Sequence, residues 1–229
     1  LSTLAEMKNI NLIDFRRPPD PPHFPKASWK KRKVKVLLIV GTDCDTGKMT
    51  TAWEITERLK KRGKNVQFIG TGQTGVMLGG YGVAVDAVVA DYMTGEIEYA
   101  IDSVGDNVDL IVVEGQGSLT NMYYAGVTLG LMHGSMPDFM VMTHEPGREL
   151  DVADHQMVSI EVVMEMHLSL MKNFKQSQFL GINLLTLKMT DDLARKEIKD
   201  TVEKCALPTT DLVRFGDGNL IDRIEQELP

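Results

Sequence analysis

One short stretch constrains this chain more than any other. Val36 to Val40 form a continuous apolar run, followed directly by Gly41, Thr42, Asp43, Cys44, Asp45, Thr46, Gly47, Lys48, Met49 and Thr50. An apolar run bounded by glycine suits a parallel strand covered on both faces. Residues 49–62 then place Ala52, Ile55 and Leu59 at helical spacing, with Glu54, Glu57, Lys60 and Lys61 off that face and Gly63 as the stop. A strand, a glycine-rich turn and a helix opening on Gly-Lys make a phosphate-holding loop. Successive backbone N–H groups wrap the anion, the helix N-terminus adds partial positive charge, and the lysine adds a full one. Glycine is required where a side chain would block that approach.

The loop departs from the usual pattern in two ways. Five residues, not four, separate Gly41 from Gly47, and Met49 stands where a magnesium-binding hydroxyl normally follows the lysine. Residues 41 to 50 are therefore expected to cradle phosphates, with Lys48 as the principal ligand. If magnesium is bound, Thr50 or Thr51, one or two helix positions further on, is the substitute ligand.

The rest of the chain repeats the alternation. Further strands are expected at 66–69, 110–113, 139–142 and 179–185, with a last one at 210–214. Helices are expected over most of 83–105 and 151–173, over 191–204, and briefly after Asn219. Strands alternating with helices predict an α/β fold: a mostly parallel sheet with helices on both faces, a P-loop NTPase-like three-layer sandwich. In such sheets ligands bind beyond the C-terminal strand ends. The turns at 41–47, 70–75, 114–117 and 143–148 all fall on that edge.

Residues 1–33 differ in character from the remainder of the chain. Five prolines fall within Arg16 to Pro25, which forbids helix or central strand there. This part reads as a proline-rich arm, or as a linker from an N-terminal domain that this chain lacks. Residues 34–229 are the P-loop α/β domain. The basic step Lys30 to Lys33 reads as a solvated edge.

The bulk numbers exclude some classes. A formal net charge of −7 argues against broad nucleic-acid binding. No apolar run reaches the roughly 18–20 residues of a membrane span. Two cysteines, Cys44 and Cys205, provide neither a disulfide framework nor a metal cluster, so a reducing cytoplasm is expected. Self-association into a homo-oligomer is left open.

These motifs carry two resemblances. The spacing of Gly41 to Lys48, with Glu114 to Gly117 at a strand end, resembles dethiobiotin synthetase and related amidotransferase-type P-loop proteins. That likeness implies an ATP- and magnesium-dependent ligase or kinase, with Thr50 and Glu114 as metal ligands. A longer likeness covers nearly the whole chain. The strings Asp14 to Pro19, Gly72 to Asp91, Glu114 to Ser118 and His144 to Arg148 resemble the D-glutamate N-acetyltransferase-like family. This second likeness implies acetyl-CoA as cofactor, a small amino acid such as D-glutamate as substrate, and a further N-terminal domain in family members. It also accounts for Met49, because coenzyme A offers a pyrophosphate and a 3′-phosphate that need N–H donors and lysine but no obligatory magnesium. A third reading is a non-catalytic nucleotide-binding domain.

Acetyl transfer to an amine needs a base and donors for the developing oxyanion. Glu114, at the end of a buried strand, is the first candidate base, and His144 the second. Arg148 is a candidate clamp for a substrate carboxylate. Asp43 and Asp45 either bind ligand or fix the turn. Asp91 caps a helix or is solvated. Cys44 packs the loop, with a thiol pKa expected to fall at the helix N-terminus. His23, His133, His155 and His167 are expected to be structural or exposed.

Overall fold

The computed structural model describes residues 1–228. Six strands form one parallel sheet: β1 Lys35–Gly41, β2 Val66–Ile69, β3 Leu110–Val113, β4 Phe139–His144, β5 Gln178–Leu184 and β6 Thr209–Thr210. Their order is β2-β3-β1-β4-β5-β6, so β1 is flanked by β3 and β4. Leu38 of β1 sits opposite Val113 on one side and Met140 on the other. The connection from β3 to β4 crosses over β1. That crossing puts the crevice at the C-terminal end of β1, where the glycine-rich loop leaves the sheet.

Side chains alternate between two apolar layers, as the strand period of two requires. Leu37, Ile39, Phe68, Val112 and Val141 face the helices α2 Lys48–Lys61 and α9 Leu220–Glu225, meeting Ala52, Ile55, Leu59 and Ile221. Val36, Leu38, Val40, Ile111, Val113, Met140 and Met142 face the other layer. It includes Ile97 and Ile101 of α4 Ala90–Asp102, Leu131 and Met132 of α5 Ala125–Ser135, and Val163 of α6 Ile160–Met171. Each such side chain removed from water contributes about 1.5–3 kcal/mol. The three expected layers are present.

Several element bounds differ from expectation, each for a local reason. Residues 81–84 lie extended, because Gly70 donates to the Tyr81 carbonyl and accepts from Val83 N; a short 3-10 turn follows at Val85–Ala87, and the helix starts only at Ala90. The stretch from Leu150 to Gln156 forms an antiparallel bridge, and the Asp151 carboxylate accepts from the N–H groups of Ala153 and His155. Helix α6 therefore begins at Ile160, not near residue 151. The last strand stops at Thr210, because Asp211 caps the short helix α8 Leu212–Phe215 by accepting from Arg214 N. Helix α7 runs Asp191–Cys205.

Four helices are not foreseen from the sequence: α8, where a strand is expected, and α1 Ser2–Met7, α3 Gln73–Gly79 and α5. In α5 glycines suppress the signal, yet two of them are packing residues. A Cβ on Gly130 would lie 2.5 Å from Met93 Sδ, and one on Gly134 would lie 2.7 Å from Ile97 Cβ. The missing methyl groups let α5 close onto α4.

The arm is laid along α4. Glu96 Oε1 accepts from His23 N at 2.7 Å, and the His23 ring stacks on Tyr99. Glu98 accepts from the backbone of Lys26 and Ser28 and from the Ser28 hydroxyl. Both glutamates are buried, and Gly95 lets the chain cross the helix. The basic step is not wholly solvated: Arg32 reaches inward to the Ser135 carbonyl at 2.7 Å. No described helix is long and apolar enough to cross a membrane.

Candidate functional site

Strand β1 delivers Gly41 into a loop closed from within. Thr42 N donates to the Thr143 carbonyl, and Thr46 Oγ1 pairs with Thr143 Oγ1 at 2.7 Å and donates to the Asp43 carbonyl at 3.0 Å. A Cβ on Gly41 would meet Thr46 Oγ1 at 2.5 Å and Lys48 Nζ at 3.1 Å, so glycine is needed there. Gly47 has φ of 89°, in the left-handed region, and starts α2. Lys48 is 7% exposed, and its Nζ donates to the Asp43 carbonyl at 2.6 Å. Burial pushes the Lys48 ammonium down to about 8, against the opposing pull of Cys44, Asp43 and Asp45. Among the described residues, no protein acceptor takes the backbone N–H groups from Asp43 to Thr50. That leaves a consecutive run of donors at the start of a long helix, the arrangement that receives phosphate oxygens.

Asp43 organises the loop's surroundings. It is fully buried, and its carboxylate accepts three hydrogen bonds: from Asn121 Nδ2 at 2.8 Å, Arg148 Nη2 at 2.6 Å and Val152 N at 2.8 Å. Arg148 also donates to the Cys44 carbonyl at 2.9 Å and the Leu150 carbonyl at 3.0 Å. The guanidinium expected to clamp a substrate carboxylate is thus engaged in fastening the loop after β4 to the phosphate loop.

Glu114 ends β3 beneath the loop. Its Oε2 accepts from Thr71 N at 2.8 Å and Gly72 N at 3.2 Å; Oε1 meets Gln116 Nε2 at 3.3 Å. Burial raises the carboxyl pKa, and the two amides and Lys48 hold it partly down. Gly75 is required beside it, since a Cβ there would fall 2.0 Å from Glu114 Oε2. Gly115 is required because a Cβ there would fall 1.7 Å from the Ile39 carbonyl oxygen, with the Lys48 stem 3.1 Å away.

These groups share one cleft of about 580 Å³, within the range of small-molecule sites. Cys44, Asp45, Lys48, Met49, Glu114 and Gln116 line it. Tyr124, Val127 and Val152 supply an apolar wall, and Arg16 and Asp86 its rim.

The other candidates fall elsewhere. His144 lines a separate cleft with Ser159, Glu197 and Lys204, and its Nδ1 meets Thr42 Oγ1 at 2.9 Å. Burial pushes its imidazole down to about 4, so it is neutral at pH 7 and a weak base. The structure does not bring it together with Glu114. Thr50 is exposed on α2 and does not line the Lys48 cleft; neighbouring Thr51 is buried and accepts from Asn183 Nδ2. Asp45, exposed with φ of 59°, shapes the turn. Asp91 is exposed in the first turn of α4. Burial raises the Cys44 thiol, contrary to the expected lowering, because the desolvation cost outweighs the nearby Lys48 charge. His167 is buried with its Nδ1 against the Val163 carbonyl at 2.7 Å, and His155 is exposed.

Sequence reasoning missed Asn121, Gln116, Tyr124, Asp86 and Arg16. Gln116, Asp86 and Arg16 stand inside the family-like strings, but nothing in one sequence gives them a place. Asn121 carries no local signal at all, since its partner Asp43 is 78 residues away.

A parallel sheet whose first strand runs through a glycine-rich loop into a lysine-led helix defines a P-loop α/β protein. The chain belongs to the DUF1611 family, described as a domain of unknown function, P-loop domain, whose model matches residues 23–221. A curated relative from Tritonibacter scottomollicae, named D-glutamate N-acetyltransferase, is 38% identical over 98% of this chain and 67% of its own length. One of the same name from Pseudoalteromonas sp is 33% identical over 96% of this chain and 67% of its own length. These relatives are enzymes by name. The crystal structure of a DUF1611 family protein from Anabaena variabilis superposes with a TM-score of 0.89 at 33% identity, over 93% of this chain and 64% of that one. Cobyrinic acid a,c-diamide synthase from Mycobacterium smegmatis, solved with an ATP analogue and magnesium, shares the fold. Its TM-score is 0.51 at 13% identity, over 76% of this chain and 84% of that one.

Proposed function

We propose that residues 41–50 hold the phosphates of acetyl-CoA, and that the whole protein transfers the acetyl group to the amine of a small amino acid such as D-glutamate. One observation carries this reading. The N–H groups from Asp43 to Thr50, free of protein acceptors, start α2 beside Lys48, which opens onto the same cleft as Glu114. The names of the two curated relatives support the reaction and the amino acid.

Acetyl-CoA brings an already activated thioester carbonyl, so the reaction needs no ATP. Lys48 and the loop amides hold phosphate, which fixes one end of the ligand and leaves the cleft for the reacting end. Tyr124, Val127 and Val152 give the ligand apolar surface along one wall. Glu114 Oε1 is the freer of its two oxygens, and burial moves the carboxyl toward the range useful for a base. As the C–N bond forms and the C–S bond breaks, Glu114 takes the proton of the amine, which then leaves with the thiol.

The residues present suit magnesium poorly. Met49 occupies the hydroxyl position, Thr50 lies outside the cleft, and Glu114 Oε2 already accepts two amides. The deciding assay is thiol release from acetyl-CoA by the full-length protein, in chelator, with D- and L-amino acids. Amine-dependent thiol release is expected. ATP cleavage with no thiol released for any amine would replace this reading with the ligase, and silence in both would favour a non-catalytic domain.

A further inference from the structure

Two segments outside the phosphate loop meet at the rim of its cleft. Arg16 comes from the proline-rich arm and Asp86 from the short turn at 85–87. Arg16 Nη2 lies 2.8 Å from Asp86 Oδ2, and both line the cleft that holds Lys48 and Glu114. The arm reaches this place by defined contacts. Asp14 Oδ1 accepts from Arg16 N at 2.9 Å. Further along, the buried carboxylates of Glu96 and Glu98 bind the backbone of His23, Lys26 and Ser28.

Among the described residues, Arg16 is the one arginine lining this cleft. Arg148, the other candidate for reading a carboxylate, is engaged by Asp43 and Cys44. The Arg16 side chain is 52% exposed, with Asp86 as its partner. Exposed ion pairs are worth little, so an entering anion can share or displace Asp86 at small cost. The cleft then has a defined polarity: Lys48 with the loop amides at one place, the Glu114 carboxylate beneath, and a guanidinium fork at the rim.

We propose that Arg16 determines specificity for the acceptor by binding the side-chain carboxylate of a small acidic amino acid, while Asp86 aims the guanidinium in the free protein. The inference rests on the acetyl-transfer reading and names the substrate class of that same cleft. A planar guanidinium pairs bidentately with a carboxylate and has no equivalent pairing with a neutral amide. An acidic amino acid is thereby separated from its amide by one charge.

The test uses the full-length protein as wild type, Arg16→Gln and Arg16→Lys. Arg16 is half-exposed, so the variants should fold; a thermal melt checks this. Two quantities are measured: kcat/KM for D-glutamate and D-glutamine at fixed acetyl-CoA, and the calorimetric Kd of D-glutamate alone. Arg16→Gln is expected to cut the preference for glutamate over glutamine by about twofold to fivefold, the scale of a half-exposed ion pair. The change should appear in KM for the amino acid, with KM for acetyl-CoA unmoved and Arg16→Lys restoring part of the preference. An unchanged preference overturns the proposal. So does a rise in KM for acetyl-CoA alone, which would assign Arg16 to a phosphate. If wild type releases no thiol yet binds D-glutamate more tightly than Arg16→Gln does, acetyl transfer fails and the carboxylate site stands. Equal or absent D-glutamate binding sinks the site.

Discussion

Arg148 Nη2 donates to Asp43 Oδ2 at 2.6 Å, joining the loop after β4 to a carboxylate that is fully buried inside the phosphate loop. Breaking this pair from one side leaves a charge without its partner in a water-poor site, which costs far more than the pair contributes net. Arg148→Ala should therefore destabilise the protein by about 3 kcal/mol, read from the urea midpoint. The double variant Asp43→Asn/Arg148→Met should recover part of that loss, because no charge is then stranded. Equal loss in the single and double variants would show that the two side chains do not act as a unit.

The arm depends on the missing Cβ of Gly95. A methyl there would fall 2.1 Å from the His23 carbonyl oxygen and 2.6 Å from the Phe24 carbonyl carbon, both backbone atoms that cannot rotate away. Gly95→Ala should cost about 1–3 kcal/mol by overpacking. It should also speed hydrogen exchange at the amides of His23, Lys26 and Ser28, which Glu96 and Glu98 now protect. Gly126→Ala on α5, where nothing lies within 4 Å, is the control and should be near neutral. Unchanged exchange in Gly95→Ala would mean the arm does not rest on α4.

Acid should loosen the far side of the phosphate loop. His144 and His167 are each pushed down to about 4 by burial, against an ordinary value of about 6.5. Both are held neutral in the fold and protonate more readily when unfolded. Their contribution is complete above about pH 6.5 and is lost as pH falls toward about 4. The stability gap between wild type and His144→Asn should accordingly narrow from pH 7 to pH 4.5. A gap independent of pH would show that the His144 imidazole is not desolvated.

How much of this was legible in the sequence divides along physical lines. Strand β1, helix α2 and the loop between them were readable because their signals are local: an apolar run, helical spacing of Ala52, Ile55 and Leu59, and glycines at turns. Helix α5 was not, because Gly130 and Gly134 weaken the helix signal while serving a contact with α4 that no local pattern encodes. Residues 151–159 combined helix-compatible composition with an Asp151 turn, and the hydrogen bonds of that carboxylate prevailed. At the site, Lys48 and Glu114 could be named from motif and strand position. Arg148 could be named but not its partner, and Asn121 could not be named, since both meet Asp43 only through the fold. The placing of His144 in a different cleft from Glu114 follows from strand order: β3 and β4 lie on opposite sides of β1.

The central claim is tested most directly by a calorimetric titration of acetyl-CoA in the presence of EDTA, on wild type and on Lys48→Ala. The loop amides and Lys48 are assigned the phosphates without magnesium, so wild type should bind and the chelator should not matter. Lys48→Ala should weaken binding by about 1.5–3 kcal/mol, the value of a charge-assisted hydrogen bond. No binding of acetyl-CoA, together with ATP binding that EDTA abolishes, would contradict the claim.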